Sequence, residues 1–572
     1  MKKTAVTILI ILFPFALLAQ NKPEAGFKRE ITLYNPYKPS LPDVVKKSFL
    51  PDMTDTARVR TDFKYNVKTR AFMPPYTISP IKAATLVPDP LPKLYNSYVN
   101  FGFGNHLTPL AEISITNQRS KKGNIGLYAR HFSTNDNIKL DNEKETFAGY
   151  MDNDVMLYGR KFLRKAIFEG SVDYSQKTRY AYGYDTTFTN YEPGKKDIML
   201  NYNNVGASMG FSSSNLDSSD FAYDFGLDYD FFFSDKGYNQ HSFEFNGEMA
   251  KMWKGFYVGG GAEFGIYIPS DTIAINSSKV IAVINPFIKK STAAWEVKLG
   301  FQLLYDKGLT ESKLHIYPDI HFGFNIVPSY LSFYADIIGR LEKNQPYDVV
   351  GMNPFLMPSR TLYDIVPTDY SLVAKAGLTG ETGIEGRYNL YGSYSIVNDM
   401  VFFTNYLYTN GLVVYSRADY FVPVYDQAEV LNLHGDISGK INEQFSFEAG
   451  ANFYNYTLAE NDFAWNRPNW DARFGINYDL RNKIIAGIGI NATGKRVAGI
   501  TSFDEELFIP AYISSQPELP ANLSFNLSAE YRYTKILSFW LKFNNISFSK
   551  NYEWAYYPSQ RFFCMVGFTY SL

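Results

Sequence analysis

From Tyr95 to its last residue the chain repeatedly alternates large apolar residues with small or polar ones. The clearest stretch is Phe221-Ala222-Tyr223-Asp224-Phe225-Gly226-Leu227-Asp228-Tyr229-Asp230-Phe231. Successive side chains on a strand point to opposite faces, so such a segment has one apolar wall and one wet wall. Trp295 to Leu303, Trp470 to Tyr478 and Leu523 to Tyr531 repeat the pattern with glycine or polar residues between the apolar ones. About 22 segments of this kind can be drawn. Their lengths sit near the ~9–11 residues that a tilted strand needs to cross a bilayer. The series predicts an all-β fold, a transmembrane antiparallel barrel over residues 95–572.

The connections support that reading. Tight ones are expected near 119–123, 161–165, 290–291, 327–329, 381–383, 441–443, 481–482 and 534–536. Longer ones fall between them, among them 134–145, 183–197, 342–368, 404–427, 457–468, 494–520 and 547–559. Outer-membrane barrels have short periplasmic turns and long outer loops, so the rhythm places both termini in the periplasm. The connection 105–109 is short for its phase, and Pro318 falls inside a predicted strand; each marks a misplaced boundary or a bulge. A large soluble β protein would also alternate. The leader, the segment lengths and the loop rhythm favour the membrane.

Residues 1–19 read as a secretory signal, with Lys2 and Lys3 before the apolar run Ala5 to Leu18. Residues 20–94 hold 11 of the 28 prolines. They read as an extended periplasmic or lumenal segment, because proline is excluded from central strands. Counting Lys and Arg against Asp and Glu gives 13 and 7 there, a net +6; the signal adds +2, so residues 95–572 carry −9. One expectation is that this basic extension docks in an acidic lumen. A net charge of −1 over the whole chain argues against a nucleic-acid partner. Cys564 is the only cysteine, so no intramolecular disulfide forms; on the apolar face of the last strand it reads as a small hydrophobe.

The chain ends Arg561-Phe562-Phe563-Cys564-Met565-Val566-Gly567-Phe568-Thr569-Tyr570-Ser571-Leu572. Phe562, Val566, Phe568, Tyr570 and Leu572 share one apolar face with Cys564. They resemble the terminal strand by which barrel-assembly machinery recognises its clients, although Leu572 stands where an aromatic residue is usual. Phe543-Asn544-Asn545-Ile546, Lys550-Asn551-Tyr552-Glu553 and Tyr557-Pro558-Ser559-Gln560-Arg561 precede it, and together these residues resemble the end of a TonB-dependent receptor of Bacteroidota. The resemblance implies a barrel of about 22 strands with a plugged lumen. It departs from the family before Tyr95, where the residues do not read as a compact plug domain. Glu30-Ile31-Thr32-Leu33-Tyr34 loosely resembles a TonB box, which works by adding a strand to TonB.

Candidate chemistry is sparse. Asp224, Asp228 and Asp230 are expected on the lumenal face of one strand, and His315 and His321 on that of another with Tyr317 and Asp319. Ordinary lumen polarity accounts for both groups. Asp504, Glu505 and Glu506 read as a solvated acidic loop tip, with calcium as the sharper alternative. Tyr180, Tyr182, Tyr184, Tyr552, Trp554, Tyr556 and Tyr557 lie near strand ends and read as an aromatic girdle. No HExxH or Gly-x-Ser-x-Gly pattern occurs. No catalytic residue, cofactor or metal ligand is expected. The leading function is passage or uptake of a solute across the outer membrane, with outer-membrane lipid, the assembly machinery and TonB or a periplasmic protein as partners. The alternative is a scaffold subunit that uses the extension as a docking arm, and a barrel enzyme comes third.

Overall fold

A computed structural model describes residues 95–572 apart from 118–119, 187–193, 215–220, 271–277, 309–310, 357–364, 384, 411–412 and 505–508, and apart from the side chains of 408–418 and 502–515. The signal, the proline-rich segment, Glu30–Tyr34, Glu505 and Glu506 lie outside the described residues, as does the Asp504 side chain.

Among the described residues twenty-four strands join in one sheet, and 22 of them form the wall of a closed antiparallel barrel. The other two, Ile500–Asp504 and Ile509–Ser515, form a hairpin whose first strand runs parallel to the strand Gly386–Asn410. Closure comes from the ends of the described chain. The strand Ser97–Gly104 pairs with Thr108–Thr116 on one side and with Phe563–Ser571 on the other, in continuous register from Tyr98↔Ser571 to Gly104↔Met565. A closed wall leaves no unpaired edge, which the hydrocarbon interior demands because it offers backbone groups no partner.

The alternation sets the faces as expected. In the strand Ala222–Ser234, Leu227 is 56% exposed and lies in register between exposed Met209 and Phe245, while Asp228 accepts a hydrogen bond from Asn246 (3.1 Å) on the opposite face. In the strand Ser312–Val327, exposed Leu314 and Ile316 alternate with buried Tyr317 and Asp319. Pro318 pairs with Phe301 inside an unbroken register, and the connection after Gly104 is a tight turn with positive φ at His106 and Leu107. Pro318 is therefore neither a bulge nor a misplaced strand boundary, and the connection after Gly104 is shorter than 105–109, since Thr108 is already paired. A charge placed on the lipid face should be costly. Leu227→Lys is expected to lower stability in lipid vesicles by about 2–4 kcal/mol in denaturant titration. Lysine at Ser208, which hydrogen-bonds Ser171 (2.7 Å) on the other face, should cost under about 1 kcal/mol.

One loop prediction fails. Residues 404–427 are not a loop; the strands Gly386–Asn410 and Val413–Lys440 run on as a hairpin of 25 and 28 residues, more than twice what a crossing requires. A register shift between Val397 and Met400, with positive φ at Asp399, marks where the pattern changes. Beyond it Met400, Val401, Phe402 and Phe403 are all buried, so both faces of the hairpin are covered.

Candidate functional site

The covering material sits at the long-loop end of the barrel. Its main piece is the connection between the strands Leu331–Glu342 and Thr368–Thr382, called here the strap. It contains the short helix Pro346–Met352, with Pro346 in the first turn, where its missing N–H costs nothing. Polar anchors hold the strap's ends to the wall. Gln240 Nε2 donates to Gln345 Oε1 (2.7 Å), Lys343 Nζ to Glu244 Oε2 (2.7 Å) and Lys279 Nζ to the Ile365 carbonyl (2.8 Å). Asn344 Nδ2 closes the strap's own base on the Val366 carbonyl (2.8 Å) and Thr368 Oγ1 (3.0 Å).

The middle of the strap is apolar and reaches across the barrel. Val349, Val350, Phe355 and Leu356 are buried in one cluster with Leu200 and Tyr202 of the strand Met199–Ser213 and with Phe421 of the strand Val413–Lys440. These are the sixth and sixteenth of 22 wall strands, close to opposite in the ring. The Tyr202 hydroxyl donates to the Leu356 carbonyl (3.4 Å), the Phe421 N–H donates to the Phe355 carbonyl (3.0 Å), and Leu356 forms a parallel bridge with Phe421. Opposite walls thus meet through a dry core in the centre of the mouth.

The connection before the last strand supplies the second piece. Tyr557 is fully buried, its ring 4.1 Å from Phe355, 4.9 Å from Tyr182 and 5.8 Å from Phe421, centroid to centroid. Its hydroxyl donates to the Asp419 carbonyl, and Tyr182 donates to the Pro558 carbonyl (3.0 Å). Burial pushes both phenols well above their ordinary range, so neither ionises under physiological conditions. Gly183 is required here, since a Cβ would run into the Tyr557 ring. A third piece, around Trp465, covers the other face of the tall hairpin at Met400 and Phe402, and Asn466 Nδ2 donates to the Phe403 carbonyl (2.7 Å). The girdle expected for Tyr182 and Tyr557 is therefore corrected. These rings turn inward and build the cap, because strap and wall offer them apolar surface that solvent does not.

Cavities flank the cap. On one side, a space of about 640 Å³ is lined by Asp306, Lys313, His315, Asp369, Asp399 and Asp426, and a neighbouring one of about 350 Å³ shares Asp306, Lys313 and Asp399. On the other side, a chamber of about 620 Å³ lies between the strap and the wall near Arg130, Asp152, Lys177 and Arg179.

The polar residues singled out from sequence do not converge. His315 Nδ1 lies 3.6 Å from Asp369 at the edge of the acidic space; His321 Nδ1 lies 2.5 Å from Asp336 Oδ1, further down the wall. Asp230 accepts from Asn204 Nδ2 (3.0 Å), and Asp224 and Asp228 line a separate space of about 430 Å³ toward the short-turn end. Among the described residues no group of three or more His, Cys, Asp or Glu could hold a metal ion. Phe562 stacks on Phe548 (4.8 Å), and Val566, Phe568 and Leu572 are exposed on the outer face of the last strand. The cap was missed because its residues carry no periodicity, but signals were present: the unbroken apolar run Met400–Phe403, and Asn410-Gly411, a hairpin dipeptide, where a loop was drawn.

No family model matches the chain, and no curated protein matches it. Solved structures do. The barrel is similar to the ferric-catecholate import receptor Fiu of E. coli K12 in its closed form (TM-score 0.60, 11% identity, 84% of this chain and 82% of that one). It is similar to the copper transporter OprC (0.59, 12%, 84% and 80%) and to the pyoverdine outer membrane receptor FpvA of Pseudomonas aeruginosa PAO1 (0.60, 11%, 84% and 78%). At these identities the likeness establishes the fold: the chain has the 22-stranded barrel of outer-membrane receptors and transporters.

Proposed function

We propose that this protein carries a solute across the outer membrane through a barrel whose outer mouth is closed by its own loops. The observation that carries the reading is the combination of a closed, lipid-facing wall with a packed cap at the long-loop end. Similarity to receptors named for ferric-catecholate import and to a copper transporter supports it at the level of architecture. In this reading residues 1–19 direct export, both termini are periplasmic, the apolar face ending in Phe562, Val566, Phe568, Tyr570 and Leu572 engages the assembly machinery, and residues 20–94 meet TonB or another periplasmic protein. The polar inner face, including Asp224, Asp228 and Asp230, wets the path. The cap must move, or be bypassed through a flanking chamber, for solute to pass.

The test is sugar flux into proteoliposomes. The full chain should admit small neutral sugars slowly. A variant in which a short Gly-Ser linker replaces residues 346–356 should admit them fast. Equal, negligible flux through both would contradict a transporting lumen.

A further inference from the structure

The chamber of about 620 Å³ opposite the acidic space has the lining of a ligand site. It lies between the strands Gly123–Thr134, Tyr150–Phe162 and Ala166–Tyr180, the strap at Val350, Gly351 and Phe355, and the last connection at Glu553 and Gln560. Its size falls within the roughly 300–1,000 Å³ usual for small-molecule sites.

Its donors outnumber its acceptors. Arg179 is committed: one amino group lies 2.7 Å and the other 3.2 Å from the Asp152 oxygens, and the guanidinium rests 5.2 Å from the Tyr150 ring centre. Arg130 is not. It sits 5.7 Å over Phe132 and makes only a loose ion pair with Asp154 at 3.8 Å, too long for a hydrogen bond. Lys177 Nζ lies 4.3 Å over the Tyr347 ring, with no carboxylate within ion-pairing distance among the described residues. Gln560 Nε2 is buried without a partner, an arrangement that costs about 1–3 kcal/mol unless something accepts its hydrogen. Against these donors stands the Glu553 carboxyl, which burial pushes above its usual range. With Arg179 taken up by Asp152 and Arg130 only loosely paired with Asp154, Arg130, Lys177 and Gln560 leave N–H donors that a carboxylate would satisfy. Phe132, Tyr150, Tyr180 and Phe563 give the same chamber flat apolar faces.

We propose that this chamber binds a small solute carrying one carboxylate on a ring-sized body, with Arg130 and Lys177 holding the carboxylate and Gln560 donating to an oxygen acceptor beside it. The inference rests on the solute-carrying reading and names the class of solute. A sugar acid and an aromatic acid share this chemistry, and galacturonate and benzoate distinguish them.

The experiment is calorimetric titration of the detergent-solubilised full chain with galacturonate, benzoate, galactose and inorganic phosphate. One of the two carboxylates should bind. Galactose should not, and phosphate should bind more weakly. The double variant Arg130→Met/Lys177→Met should weaken binding by at least about tenfold, the usual scale for losing a charged hydrogen bond. Its folding is checked by heat-modifiable migration on a gel, and Lys177→Arg, which keeps the charge, should retain most of the affinity. Binding of neither carboxylate, equal binding of galactose, tighter binding of phosphate, or affinity unchanged in a folded double variant would each overturn the assignment. Flux through the strap-replaced barrel reads the transport proposal separately, so either idea can fail alone.

Discussion

Replacing residues 346–356 with a short flexible linker is expected to convert a nearly silent barrel into one with large, steady single-channel conductance. The physical basis is the route by which opposite walls are joined. Without the strap, Tyr202 loses the Leu356 carbonyl and Phe421 the Phe355 carbonyl, and the direct bridge between the sixth and sixteenth strands goes, leaving Tyr557, between Tyr182 and Phe421, as the link across the mouth. A barrel of 16–18 strands already encloses an aqueous channel, and 22 strands make a wider one. The wall itself should survive. Its stability comes from closed strand pairing, and the anchors at Lys343 and Asn344 lie outside the replaced residues. Unchanged heat-modifiable migration on a gel would confirm that. A strap-replaced barrel that stays as silent as the parent would contradict a transporting lumen closed by this segment.

The second large effect is expected at Tyr557. Truncating a fully buried aromatic side chain to alanine costs about 3–5 kcal/mol through lost transfer energy and the cavity left behind. Here the loss falls on the cap alone, because Tyr557 touches strap, loop and tall hairpin together through Phe355, Tyr182 and Phe421. Tyr557→Ala should therefore speed hydrogen exchange at the Val349, Asn353 and Phe421 amides, which are bonded to Gln345, Val349 and Phe355, by about a hundredfold or more. Amides of wall strands such as Leu227 should be unaffected. Tyr557→Phe keeps the ring and removes only the bond to the Asp419 carbonyl, so its effect should be about 1 kcal/mol, read as a severalfold change. Uniform loosening of wall and cap by Tyr557→Ala would show that the cap is not a separate unit.

The wall was legible because the bilayer enforces it. A strand with lipid on one side and water on the other must alternate, so Leu227 beside Asp228, and Ile316 beside Tyr317, announce their faces in sequence. Even Pro318 could be left in place, since its neighbours keep the phase. The cap obeys no such rule. Its residues are buried by irregular chain, and burial without a period looks like any loop with some apolar content. Tyr182 and Tyr557 looked like girdle residues because sequence gives their distance from a strand end but not the direction in which the chain turns. The tall hairpin was cut short for a related reason. Past the shift at Asp399 both its faces are covered, alternation stops, and Met400–Phe403 reads as the end of a wall segment. The chamber beside Arg130 and Lys177 was illegible altogether, because its lining comes from five wall strands and several connections that only the closed barrel brings together.

The central claim, that the mouth is closed by the strap meeting the opposite wall, is most directly tested by tying the two together. Leu356 and Phe421 are bridge partners. Neighbouring strands lie about 4.8 Å apart, inside the roughly 4.4–6.8 Å Cα separation that a disulfide accepts. In a Cys564→Ser background, which removes the only native thiol, Leu356→Cys with Phe421→Cys should form a disulfide without added oxidant in the exported protein. Single-channel recording of that protein should show a barrel that stays shut while oxidised and regains its rare openings after reduction. Failure of the disulfide to form in folded protein, or openings as frequent with the disulfide intact as after reduction, would contradict the account.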